Sequence, residues 1–248
     1  MMRRWFLKGF VWAAVLLAPL LAQAQTCSPK AVFSYTKDGE EVEEELTEYT
    51  GQAPVTGRFT ANPENYDGYE PSYEWRVYSS DKTWETYDVL TRTGETLEYT
   101  FSQSGTFYVE LRVTFNKTVG GTITDTVIYP EEGDDAVRFA VTVAESKLEM
   151  PNAFSPNGDG KNDIYRAKST HQSIVEFRAT VFNRWGQKLY SWNDVNGGWD
   201  GTVNGKTVRD GVYFVNVVAK GADGIEYKFR KDVNVLTRYT EDEGATDN

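Results

Sequence analysis

Residues 151–163 read Pro151-Asn152-Ala153-Phe154-Ser155-Pro156-Asn157-Gly158-Asp159-Gly160-Lys161-Asn162-Asp163. Proline fixes φ and lacks an amide donor, and glycine accepts positive φ, so neither a helix nor an inner strand can run through this stretch. It reads as a turning loop. Asn157, Asp159 and Asp163 place oxygen side chains at spaced positions along it. Two chemistries suit that spacing. One is a loop wrapped around Ca²⁺ with these three residues as ligands; the other is a series of Asx turns, in which the side chains accept local backbone N–H groups. Lys161 stands where a further ligand would be expected and no Glu closes the loop. The Asx-turn reading is therefore preferred, with Ca²⁺ as the alternative and no other cofactor expected.

Downstream, the pattern is β throughout. Val175, Phe177, Ala179 and Val181 alternate, Asn183-Arg184-Trp185-Gly186 reads as a turn, and Leu189 begins a return strand. Asn204-Gly205 is a hairpin signal because both residues tolerate φ > 0. Val212 to Val218 is a nearly continuous apolar strand, Gly221-Ala222-Asp223-Gly224 turns the chain, and Ile225, Tyr227, Phe229, Val233 and Val235 keep period two. About seven short strands are predicted.

In order, these motifs resemble the gliding motility-associated C-terminal domain of Bacteroidetes, the type B sorting domain of the type IX secretion system. The resemblance is carried by Pro151, Asn152, Phe154, Pro156, Asn157, Gly158, Asp159, Gly160, Asn162 and Asp163, then Asn183, Arg184, Trp185 and Gly186, then Trp199, Asp200 and Gly201, and finally Asp210, Gly211 and Tyr213. It implies an address and a surface-anchoring module rather than a reaction. The partners it implies are the secretion machinery or an outer-membrane barrel.

Upstream, Tyr73 to Val77, Leu97 to Phe101 and Phe107 to Val113 alternate apolar and polar side chains. Evenly spaced short strands with turns between them argue for an antiparallel sandwich of immunoglobulin type. Trp75, Tyr99-Thr100-Phe101, Gly105 and Tyr108 to Val113 resemble a PKD domain, without that family's Asp-x-Gly-Asp-Gly turn after the Trp. The fold expected is all-β: two tandem Ig-like antiparallel β-sandwich domains. A PKD/Ig-like domain would span 25–145 and the sorting domain 146–239, followed by an acidic disordered tail, 240–248. Glu40, Glu41, Glu43, Glu44, Glu45 and Glu48 read as a solvated face or arm.

Residues 1–24 read as a signal peptide: Arg3, Arg4 and Lys8, an apolar run from Gly9 to Ala22, and Ala22-Gln23-Ala24 as cleavage site. The run is short of the roughly 20 apolar residues of a bilayer span, so no transmembrane segment is expected in the mature chain. Arg3-Arg4 also resembles a twin-arginine signal, and Cys27 a lipidation site preceded by an unfavourable Thr26. Ordinary export without lipidation is preferred. Cys27 is the lone cysteine, so no internal disulfide forms. Without the signal cations, 23 basic side chains face 37 acidic ones, a net charge of −14. A surface of that sign repels nucleic acid.

Trp185 and Trp199, each near a glycine turn, read as core caps. Tyr66, Tyr69, Trp84 and Trp192 fall in loop-like stretches and are the candidate exposed surface for a glycan or protein ligand. Asp125-Thr126-Val127 resembles a Bacteroidetes O-glycosylation acceptor, with Thr126 modified. His171 is the one histidine and has no nucleophile or metal partner in sequence, so no catalytic residue is assigned and no enzyme is expected. The expected protein is a non-catalytic secreted or cell-surface protein, sorted by its C-terminal domain, with the Ig-like domain as interaction module or spacer. The alternatives are a periplasmic or outer-membrane-associated structural component and, third, a carbohydrate-binding module.

Overall fold

The computed structural model describes residues 24–37 and 39–238. The signal peptide and the acidic tail lie outside or almost outside those residues. The first part contains β1 (Thr26–Cys27), β2 (Lys30–Lys37), β3 (Glu40–Glu45), β4 (Glu48–Gly51), β5 (Val55–Thr60), β6 (Pro63–Glu64), β7 (Glu70–Ser79), β8 (Leu90–Thr93), β9 (Thr96–Phe101), β10 (Gly105–Val119), β11 (Thr122–Tyr129) and β12 (Arg138–Val143). The second contains β13 (Ala153–Phe154), β14 (Ile174–Phe182), β15 (Lys188–Trp192), β16 (Thr202–Val203), β17 (Lys206–Thr207), β18 (Gly211–Gly221) and β19 (Glu226–Val235).

The first part is a two-sheet sandwich. One sheet runs β3-β2-β5-β9 and the other β4-β12-β10-β7-β8, with β11 continuing beside the far half of β10. Period-two alternation sends Phe33, Val55, Phe59, Leu97 and Phe101 inward from the first sheet to meet Trp75, Val109, Leu111 and Phe139 from the second. Trp75 is fully buried, and its indole N–H donates to the Gly94 carbonyl at 3.1 Å, so the one polar atom of a large side chain is satisfied. Gly57 is required by packing: a Cβ there would stand 2.6 Å from the Phe59 ring. Most pairings are antiparallel, but β4 crosses to the second sheet and runs parallel to β12. The acidic strand β3 is an exposed sheet edge, where like charges discourage further pairing. Cys27, by contrast with the lipidation reading, lies in this core; burial, then the Glu64 carboxylate, pushes its thiol up to about 12.

The second part is built on one five-stranded sheet, β13-β19-β18-β14-β15, and a small hairpin, β16-β17. One face carries Phe177, Ala179, Val181, Val215, Val217, Val233 and Val235 and is covered by the segments before β14 and between β15 and β18, through Met150, Phe154, Tyr165 and Trp199. Asn204 and Gly205 take φ of 51° and 74°, the paired positive values that the hairpin needs. Val212 to Val218 is not buried on both faces, as its apolar run suggests: Val212, Phe214 and Val218 point away from the core. Among the described residues only one side of this sheet is packed over, so the alternate residues of an apolar strand are left outside.

The junction between the two parts is hydrogen-bonded throughout. Ala144 donates to Gly51, Lys147 and Gln172 exchange both backbone bonds, and Lys168 donates to the Glu149 carbonyl. Across the parts, the Ala53 N–H reaches the Ser173 hydroxyl at 3.2 Å and the Ser104 N–H the Ala222 carbonyl at 3.0 Å. Ala222 and Val175 pack onto the first core. No helix among the described residues is long and apolar enough to cross a membrane.

Candidate functional site

The motif loop that opens the second part is an Asx-turn cage. Asp163 faces its own loop: Oδ1 accepts the Asn157 and Gly158 N–H groups at 3.0 and 2.7 Å, and Oδ2 the Gly160 N–H at 2.8 Å. Asp159 accepts from the Lys161 N–H and the Asn157 side-chain amide, which hold its carboxyl below the usual carboxylate range. Asn157 in turn accepts the Asp159 N–H at 3.0 Å. Gly158, Gly160 and Asn162 all have positive φ, which the compact turn requires. These are the oxygens that the Ca²⁺ reading would use. Here they satisfy backbone donors, and among the described residues no three His, Cys, Asp or Glu side chains gather to hold an ion.

The other motif residues lock this loop to the sheet. Trp199 is fully buried, within ring contact of Phe154 (5.4 Å between centroids) and Tyr213 (5.6 Å), and its indole N–H donates to the Thr202 carbonyl. Gly201 has a φ of 75°, and a Cβ there would meet Pro156 at 2.8 Å, so only glycine lets the two motifs touch. The Pro151 carbonyl takes the Tyr165 hydroxyl, and that of Asn152 the Asn234 N–H. Asp200 caps Thr202, Asp210 caps Thr237, and the Tyr213 hydroxyl donates to the Arg209 carbonyl.

Arg184 and Trp185 depart from this pattern. Asn183 Oδ1 accepts the N–H groups of Trp185 and Gln187, and Gly186 turns with a φ of 78°, so the backbone at the β14–β15 tip is fixed. Yet Trp185 is 75% exposed, with the Arg184 guanidinium 4.2 Å over its ring. This corrects the core expectation for Trp185: the Asx turn closes without its ring, and among the described residues nothing folds over that end of the sheet.

The loop-like aromatics divide. Trp192 ends strand β15 and is 8% exposed, packed on Phe177 and Tyr165, with its indole N–H unpaired. Trp84 is 7% exposed, sandwiched by Arg76 and Arg112 at 4.3 and 4.4 Å. Neither is available as an exposed platform, because each supplies the apolar cover for a sheet face that sequence spacing does not reveal. Tyr66 is exposed and Tyr69 half-buried, the latter donating to Asp125 at 2.6 Å. Thr126, the next residue of β11, points to the opposite face of that strand, is exposed and donates to Asn116 at 2.9 Å. A cleft of about 920 Å³ separates the two parts, lined by Tyr35, Tyr49, Leu46, Arg166, His171 and Ile174. His171 contacts the Lys168 carbonyl through Nδ1.

The motif loops, the buried Trp199 and the five-stranded sheet thus form one linked, turn-rich all-β module. Residues 148–229 match the family described as the CHU_C Type IX secretion signal domain. Among solved structures the chain is similar to dimeric latent PorU from Porphyromonas gingivalis, at 12% identity and a TM-score of 0.25, over 77% of this chain and 19% of that one. A tetra-tandem repeat from the extending region of a large adhesion protein is similar at 12% identity and a TM-score of 0.27, over 87% and 68%. A membrane-anchored protein from Corynebacterium diphtheriae is similar at 10% and 0.28, over 90% and 61%. No curated protein matches.

Sequence reading missed the outward strip beside Trp185, formed by Phe182, Val212 and Phe214. The signal was present in the alternation of β14 and β18, but only the assembled sheet shows which face is uncovered.

Proposed function

We propose that this chain is a non-catalytic exported protein whose second part is its type IX sorting and anchoring signal, displayed on the cell surface or released. The first sandwich is then its cargo, an interaction module or spacer. The observation that carries this reading is the family match over residues 148–229. Its motif residues are supported in a consistent way: almost all of them build the loop cage and core of the same module, so the module itself is what the motifs specify. Thr126, exposed on β11, suits an O-linked glycan in that setting.

Fractionation of cells carrying a type IX machinery tests it. The full-length protein is expected at the surface or in the medium, and in the periplasm once the translocon is disabled. Residues 146–248 behind a signal peptide and a reporter are expected to carry the reporter out. Full-length protein that stays periplasmic with an intact translocon would replace this reading with the structural-component alternative.

A further inference from the structure

The uncovered face of the second sheet ends in an aromatic and cationic strip. Phe182 and Phe214 stand opposite each other in register, with Lys188 across from Phe182 on β15. Val212, two residues from Phe214 on the same face, is 48% exposed and Phe214 41%. The turn following Phe182 adds Arg184 and Trp185. These six residues lie at the end of the sheet away from the first sandwich, because β14 begins and β18 ends beside Ser173, Val175 and Ala222, which touch that sandwich. A partner can reach the strip without displacing the first part.

The two parts also differ in charge. Residues 25–145 carry nine Lys and Arg against 23 Asp and Glu, a net −14, whereas residues 146–238 carry 14 against ten, a net +4. Fields between exposed charges fade over about 8 Å at physiological salt. The strip therefore presents Arg184 and Lys188 on the β14–β15 side, with the exposed Asp232 across from Phe214 on β19, rather than the acidity of the distant sandwich. Trp and Arg are the residues most enriched where binding energy concentrates. Here both sit on a turn fixed by Asn183 and are already stacked, so little ordering remains to be done on contact.

We propose that this strip is the surface by which a protein partner grips the domain, the partner offering an apolar pocket for Trp185 rimmed by carboxylates that pair with Arg184 and Lys188. The inference rests on the sorting reading, and the partner is the component of the export machinery that recognises the folded domain.

The test uses the full-length chain in a type IX-competent host, comparing wild type, Trp185→Ala, Trp185→Phe and the double variant Arg184→Glu/Lys188→Glu, with melting temperatures of the purified proteins in parallel. Trp185→Ala and the charge reversal are expected to melt like wild type, since neither side chain packs in the core. Each is expected to lower the exported fraction at least about tenfold, as loss of an interface anchor does, while Trp185→Phe keeps most export. If wild type is exported and both variants are too, the strip is not the recognition surface and the sorting reading survives. If only the charge reversal is harmless, the acidic rim is wrong. If wild type is not exported, the sorting reading fails and the partner assignment with it. Concentration-dependent self-association of purified wild type, abolished by Trp185→Ala, would assign the strip to the acidic sandwich of a second copy and overturn the proposal.

Discussion

The Asp223 carboxylate holds Ser146 across the junction, accepting its backbone N–H and its hydroxyl, each at 2.8 Å. Asp223 belongs to the turn between β18 and β19, and the neighbouring Ala222 of that turn packs on the first core. One turn of the second sheet thus fixes both the connecting segment and the adjoining sandwich. The Tyr227 hydroxyl completes the arrangement, 2.9 Å from Ser146 Oγ.

Removing that acceptor should loosen the junction. Asp223→Ala leaves the Ser146 donors without their partner, and hydrogen bonds to a charged group contribute roughly 1.5–3 kcal/mol. Gly221→Ala should act similarly, because a Cβ there would overlap Ser146 and Asp223. Both are expected to speed tryptic cleavage after Lys147 by about tenfold or more, as about 1.4 kcal/mol of lost protection gives. Unchanged cleavage would mean that the backbone bonds of Lys147 and Gln172 hold the segment alone.

Acid should act at the same place. Burial would raise the Asp223 carboxyl, but the Ser146 N–H and hydroxyl and the Ile225 N–H outweigh it and hold the group below its ordinary 3.8. Asp210 is lowered too, by the Thr237 hydroxyl and N–H. A depressed carboxylate stabilises the fold above its unfolded pKa and loses that contribution as pH falls through the folded value. The melting temperature should hold from neutral pH to about 4 and fall below it, and Asp223→Asn should make the acid side of the profile shallower.

The motif loop separates its two chemistries cleanly. Asp163→Ala strips three backbone N–H groups of their acceptor and should lower the melting temperature in chelator and in millimolar Ca²⁺ alike. If Ca²⁺ is a ligand, wild type should instead melt higher with the ion, and Asp159→Ala should abolish the rise.

The two buried tryptophans of the second core should differ from each other. Trp199→Ala opens a cavity beside Phe154 and Tyr213 and is expected to cost about 3–5 kcal/mol in denaturant titration. Trp192→Phe removes an indole N–H that has no partner, so it should cost much less than its loss of volume suggests.

Sequence alone determined the all-β class, several of the strands and turns, and the match to the sorting-domain motifs, while the acidic run that reads as a solvated face or arm contains strand β3. Alternation in Phe107 to Val113 and Val175 to Val181, the Asn204-Gly205 hairpin and the Pro151 to Asp163 loop depend on local geometry: side-chain period, positive φ and short-range acceptors. Those are properties of neighbouring residues, and they are legible one after another. Only the tertiary structure decided which aromatics face water. Trp84 and Trp192 stand in loop-like sequence but are covered, one by two arginines and the other by Phe177 and Tyr165. Trp185 and Phe214 have the pattern of core residues but are exposed, because the described residues pack on one face of the second sheet only. The parallel strand pairs, the contact of Ala222 with the first core and the union of Pro156 with Gly201 likewise join residues far apart in the chain. Burial is a property of what the remaining chain lays over a surface, and no local pattern encodes it.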